Sequence, residues 1–130
     1  MEGAMDYGML RVQTQPPPPG KKYKKIYVCS PLSAPSWLEI HNNMENARHY
    51  VGAVSRIFKC RALATHAYLP LLLDDNNPEE RAIALDMGLR ILGICDALIV
   101  CGKRISHGMA GEIRKAMELG IQILFLEDYT

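Results

Sequence analysis

The chain has 130 residues, the size of one ordinary domain, and its 48% apolar content is enough for a core without disulfides. A formal net charge of +1, with the basic residues mostly dispersed, gives no footprint for a nucleic-acid polymer. The longest apolar runs are too short, or broken by Asp96, to cross a membrane, and no basic-then-apolar leader opens the chain, so a cytoplasmic protein is expected.

Residues 1–24 read as a flexible Pro-rich tail. Pro16 to Pro19 forbids helix and strand pairing, and Lys21-Lys22-Tyr23-Lys24-Lys25 reads as a solvated lead-in to the folded domain, 25–130. Lys25–Cys29 is β-branched and aromatic and predicts a strand; two prolines make Ser30–Pro35 a loop. Ser36-Trp37-Leu38-Glu39 has the capping-box pattern and opens a helix to about Phe58. Its apolar positions, from Ile40 through Met44 to Ile57, keep helical spacing, and Trp37 and Met44 read as core.

Ala62–His66 predicts a second strand, and Leu69–Asn77 a loop with an acidic end at Asp74-Asp75. Asn77-Pro78-Glu79-Glu80 starts the next helix, with Asn as cap and proline at the first position, ending near Ile94. A buried strand follows at Ala97–Cys101, then a turn with Gly102, a helix over Gly108–Leu119 stopped by Gly120, and a last strand at Ile121–Leu126. Strands alternating with helices predict an α/β, Rossmann-like three-layer sandwich with a four- or five-stranded, mainly parallel sheet. Ligands in such sheets bind beyond the carboxyl ends of the strands. That rule brings Ser30–Ser33, His66–Tyr68 and Gly102–Glu112 to one crevice. Glu112, about one turn into its helix, is expected to be held ionised by the helix dipole, by roughly 0.3–1 kcal/mol.

Cys29, Cys60, Cys95 and Cys101 form no Cys-x-x-Cys pair and read as reduced thiols. With His41, His49, His66 and His107 they lack metal-ligand spacing, so neither a metal nor a cofactor is expected.

Three segments together resemble the nucleoside 2-deoxyribosyltransferase superfamily, including the 2′-deoxynucleoside 5′-phosphate N-hydrolases. Ile26-Tyr27-Val28-Cys29-Ser30-Pro31-Leu32 is similar to that family's first strand and substrate loop. Cys95-Asp96-Ala97-Leu98-Ile99-Val100 resembles its aspartate-then-strand segment. Ser106 to Ala116 matches the Ser-x-Gly-x-x-x-Glu-(Ile/Leu)-x-x-Ala signature at every fixed place. The likeness runs from about Lys25 to the end.

The resemblance implies that Glu112 is a nucleophile attacking C1′ of a nucleotide, and that Ser106 and Gly108 meet its 5′ end. A hydroxyl and a bare N–H at a helix start suit phosphate, so a nucleoside 5′-monophosphate is favoured over a nucleoside. Asp96 is assigned to the catalytic set, with a cap on the preceding turn as its other reading. Tyr27, Ser30, Pro31, His66 and Met109 complete the implied substrate-binding set; packing is the alternative for Tyr27 and a structural histidine for His66. The family's acidic helper of base departure falls on Gly88, and its first-loop arginine on Ser33. A homo-oligomer is implied, with the apolar face from Ile40 to Val54 available to a second subunit. A module that binds a nucleotide or ADP-ribose-like ligand without turnover is the alternative that Gly88 favours, and a scaffold acting through Pro16–Pro19 is a third.

Overall fold

The computed structural model describes residues 21–130 together with the backbone of 3–7 and 10–14. Within the stretch expected as a tail, β1 (Gly3–Tyr7) and β2 (Leu10–Thr14) pair antiparallel as a hairpin, Gly3 opposite Thr14 and Tyr7 opposite Leu10. The Pro16–Pro19 tract lies outside the described residues. Order in the main body begins ahead of residue 25. Tyr23 is buried, and its hydroxyl donates to Gln122 Oε1 at 2.6 Å.

The body is a four-stranded parallel sheet in the order β4-β3-β5-β6, as the alternation of elements predicts. Here β3 is Lys25–Cys29, β4 Arg61–Leu63, β5 Ala97–Val100 and β6 Gln122–Phe125. In register, Cys29 pairs with Val100, and Val100 with Phe125. The central strands β3 and β5 are buried on both faces, which is why they read as continuous apolar runs.

Side chains alternate between two cores. Tyr27, Cys29, Leu98, Val100, Ile123 and Phe125 face α2 (Pro78–Leu92) and α3 (His107–Leu119), meeting Leu92, Met109, Ile113 and Ala116. Ile26, Val28, Ile99 and Leu124 face α1 (Trp37–Phe58) and meet Val54. Ile40, Met44, Ala47 and Val54 are all buried within this chain, so the face expected to serve a second subunit is already covered. Trp37, read as core, is 57% exposed and instead lies edge-on to His41.

The helix caps fall where the sequence sets them. Ser36 accepts from Glu39 N at 3.2 Å, and Asn77 accepts from Glu79 N and Glu80 N at 3.0 and 3.1 Å. Gly120 ends α3 with φ 70°, a left-handed turn that glycine enters without strain. The second core strand is shorter than expected. It pairs with β3 only to Leu63, and Thr65–Ala67 turns as a 3-10 helix, carrying His66 off the sheet. A second 3-10 turn, Leu69–Leu71, sits inside the predicted loop.

Candidate active site

Because α1 covers one face and α2 and α3 the other, the chain changes sides between β3 and β5, where a parallel sheet opens a crevice at its carboxyl end. A cavity there runs from the loop after β3 to the start of α3. Leu32, Leu69, Pro70, Leu73, Ala84 and Leu85 make its apolar wall. Its polar groups come from five segments: Ser33, then Thr65 and His66, then Asp75, then Arg81, and finally Ser106, Gly108 and Glu112 of α3 and its cap.

Glu112 is 6% exposed. The Tyr27 hydroxyl donates to its Oε2, and the Cys29 thiol lies 3.6 Å from its Oε1. Tyr27 and Cys29 are two apart on β3, so strand alternation turns both toward α3. Thr65 Oγ1 stands 3.1 Å from the Tyr27 hydroxyl and completes the chain. Burial pushes the Glu112 carboxyl from 4.5 up to about 7, against the lowering effect of the two donors. The expectation of a dipole-stabilised carboxylate is thereby corrected. Glu112 is the sixth residue of α3, beyond the turn in which the dipole acts, and desolvation dominates. Burial, with Glu112 alongside, also holds the Tyr27 hydroxyl and the Cys29 thiol well above their usual ranges, so both stay protonated donors.

Gly88 faces this carboxylate from α2. A Cβ there would lie 3.1 Å from Tyr27 Oη and 3.3 Å from Glu112 Oε2. The place where the resemblance puts an acidic helper is therefore beside Glu112, but it is filled to contact by a glycine backbone. Asp86, two residues away, is exposed and paired with Arg90 at 2.8 Å.

At the other end of the cavity stands a cluster that sequence reasoning missed. Arg81 Nη1 donates to both carboxylate oxygens of Asp75 at 2.9 Å and to Ser33 Oγ at 2.7 Å. Ser33 Oγ in turn donates to Asp75 Oδ2 at 2.8 Å. These residues come from three separate segments, so no spacing in the sequence announces them; Cys29, read only as a reduced thiol, was missed as well, and its period of two from Tyr27 is the signal that could have found it. His66 lines the same cavity, and burial lowers its pKa to about 4, leaving a neutral imidazole.

The remaining implied residues divide. Ser106 caps α3, accepting from Met109 N at 3.3 Å, and lines the cavity with Gly108. Met109 is buried in the core beneath the helix, its sulfur accepting from Ser106 N at 3.4 Å, so it steadies the cap and does not line the cavity. The Tyr27 side chain is fully buried and touches the carboxylate rather than the open space. Ser30 is buried with an unpartnered hydroxyl, and Pro31 borders a different groove on the α1 side. Asp96 stands apart from the others. It is exposed at the amino end of β5, where it accepts from Lys24 N at 2.5 Å, while its own N–H donates to Lys25 O at 2.8 Å. Four residues of strand, about 13 Å, separate that level from Cys29 and Glu112. Among the described residues no group of three or more His, Cys, Asp or Glu side chains is arranged to hold a metal, and no helix is long and apolar enough to cross a membrane.

Residues 24–126 match the model of a family described as a domain of unknown function, DUF7768, and the chain belongs to that family. A search of curated protein sequences returns no match. Among solved structures the fold is similar to that of a 2-deoxyribosyltransferase from the psychrotolerant bacterium Bacillus psychrosaccharolyticus. The TM-score is 0.55 at 18% identity, over 78% of this chain and 70% of that one. At that identity the likeness is one of fold.

Proposed function

We propose that this DUF7768 member cleaves the base–sugar bond of a (deoxy)nucleoside 5′-monophosphate, with Glu112 as nucleophile. The observation that carries the reading is a single buried carboxylate, held by Tyr27 and Cys29, that opens into the same cavity as the capped start of α3. Glu112 attacks C1′ as the C1′–N bond breaks, and the base leaves with the bonding pair and takes a proton from solvent. The sugar is then an ester on Glu112. Water, or a second base in a transfer reaction, attacks C1′ and restores the carboxylate. The attacking form is the ionised one, so turnover rises with pH through about 7.

Phosphate would meet the α3 start, where the dipole, the N–H of Gly108 and the free hydrogen of the Ser106 hydroxyl are favourable. Paired titration of wild type and Ser106→Asp with a deoxynucleoside and its monophosphate tests this. A carboxylate set there weakens the monophosphate by roughly tenfold or more and leaves the nucleoside within a few-fold. Equal losses for both ligands would place the phosphate elsewhere.

A second reading, a module that binds such a ligand without turning it over, is favoured by Gly88, which puts no carboxyl at the place where the resemblance expects help for the departing base. Incubation with a panel of nucleoside monophosphates, with detection of free base, separates the two. Glu112→Gln lowers release on the order of 10⁴-fold while ligand binding persists. Equal release by variant and wild type removes the nucleophile assignment, and binding without release by either supports the sensor.

A further inference from the structure

The sheet's crevice has a second compartment. On the α1 side of the loop after β3, a groove of about 230 Å³ is walled by Asn43, Asn46 and Tyr50 on one side, and by Pro31 and the Gly102–Arg104 turn on the other. The three α1 residues are spaced three and four apart, so they share one helix face. Asn43 is fixed by donating to Leu32 O at 2.8 Å. Gly102 has φ 98°, a left-handed turn, and a Cβ there would lie 3.4 Å from Pro31 and 3.7 Å from the Tyr50 hydroxyl, so the glycine keeps the floor open. Lys103 and Arg104 are exposed, and neither forms an ion pair with a described residue. Glu127 shares a hollow with them on the far side of the turn, beyond ion-pair distance, and among the described residues no acidic side chain lines the groove itself.

We propose that this groove is a phosphoanion site, separate from the Glu112 cavity, that takes the diphosphate of a small molecule. Two cations from one turn supply the charge. The amides of Asn43 and Asn46 and the Tyr50 hydroxyl supply neutral hydrogen-bonding groups that a solvated charge pair would lack. Burial raises the Tyr50 pKa, so its hydroxyl remains a donor. The location agrees with the rule for doubly wound sheets, since the groove opens beyond β3 and β5, whose following helices lie on opposite faces.

The test is calorimetric titration with pyrophosphate, in parallel with a short single-stranded oligonucleotide. The proteins are wild type, Lys103→Ala/Arg104→Ala, Asn46→Ala, Tyr50→Phe and Ser106→Asp. The expected result is a pyrophosphate site weakened about tenfold or more by the double variant and a few-fold by Asn46→Ala and Tyr50→Phe, and still present in Ser106→Asp, which removes only binding in the Glu112 cavity. Asn46, Lys103 and Arg104 are exposed and Tyr50 is half-buried, and circular dichroism checks that each variant folds. Four outcomes overturn the proposal: no binding to wild type; loss with Ser106→Asp alone, which places the anion in the Glu112 cavity; loss with the double variant but none with either neutral variant, which leaves only diffuse attraction to two charges; or binding of the oligonucleotide alone, which makes the groove a nucleic-acid contact. The first, third and fourth leave the Glu112 reading untouched.

Discussion

The two ends of the sheet each carry a carboxylate, and water decides what each one does. At the carboxyl end Glu112 is closed off beneath α2, and its proton affinity rises until it titrates near neutrality. At the amino end Asp96 stands in solvent and clasps the backbone of Lys24, joining β3 to β5. Both residues lie in segments that resemble functional motifs of one superfamily. A carboxylate that meets both a cavity and desolvation can do chemistry; one that meets an exposed backbone amide holds two strands in register.

The largest effect expected from this contrast is on stability as a function of pH. Folded Glu112 keeps its proton up to about 7, whereas the unfolded chain releases it near 4.5. Between those values the unfolded state binds fewer protons, so stability falls as pH rises, by about 3 kcal/mol in all. Urea melts from pH 4 to 8 will show this slope in the wild type and its absence in Glu112→Gln; a slope that survives in the variant belongs to another group.

Next in size is Tyr27→Phe. It removes the donor to Oε2 and costs about 1–3 kcal/mol, the usual penalty for stranding a buried acceptor. It also moves the midpoint of the pH–rate profile above the wild-type value, because the bond that lowers the Glu112 pKa is gone. A loss of stability with an unmoved midpoint would make Tyr27 a packing residue only. The smallest effect is at the other end: Asp96→Ala should cost about 1 kcal/mol and leave turnover within twofold. A large fall in turnover with unchanged substrate binding would return Asp96 to the catalytic set.

The parallel architecture was legible because its signals are local. Apolar runs of strand length, the caps at Ser36 and Asn77, and Gly120 at the end of α3 each act within a few residues. Glu112 was legible as a candidate because the Ser106–Glu112 spacing lies within one helix and its cap. The Ser33–Asp75–Arg81 cluster was not, since its partners meet across loops whose course no short-range pattern sets. The charge state of Glu112 was missed for a related reason. Helix position is local, but desolvation comes from burial under tertiary packing, against which the Tyr27 and Cys29 donors act. His66 leaves its predicted strand where the pairing of β4 with β3 stops at Leu63 and the chain turns into a 3-10 helix.

Three rings remain, Tyr23 ahead of the first core strand, Phe58 at the last turn of α1, and Tyr129 next to the final residue. Tyr23 meets Phe58 edge-on at 5.8 Å between centroids, and Phe58 meets Tyr129 at 4.8 Å. Both extremities of the α/β body are thus fastened to the same side chain, and the body is a ring closed by an aromatic latch in place of a peptide bond. A short covalent linker across that latch, with a new opening cut in the exposed segment around Asn76, would rearrange the order of the chain without disturbing any strand pairing.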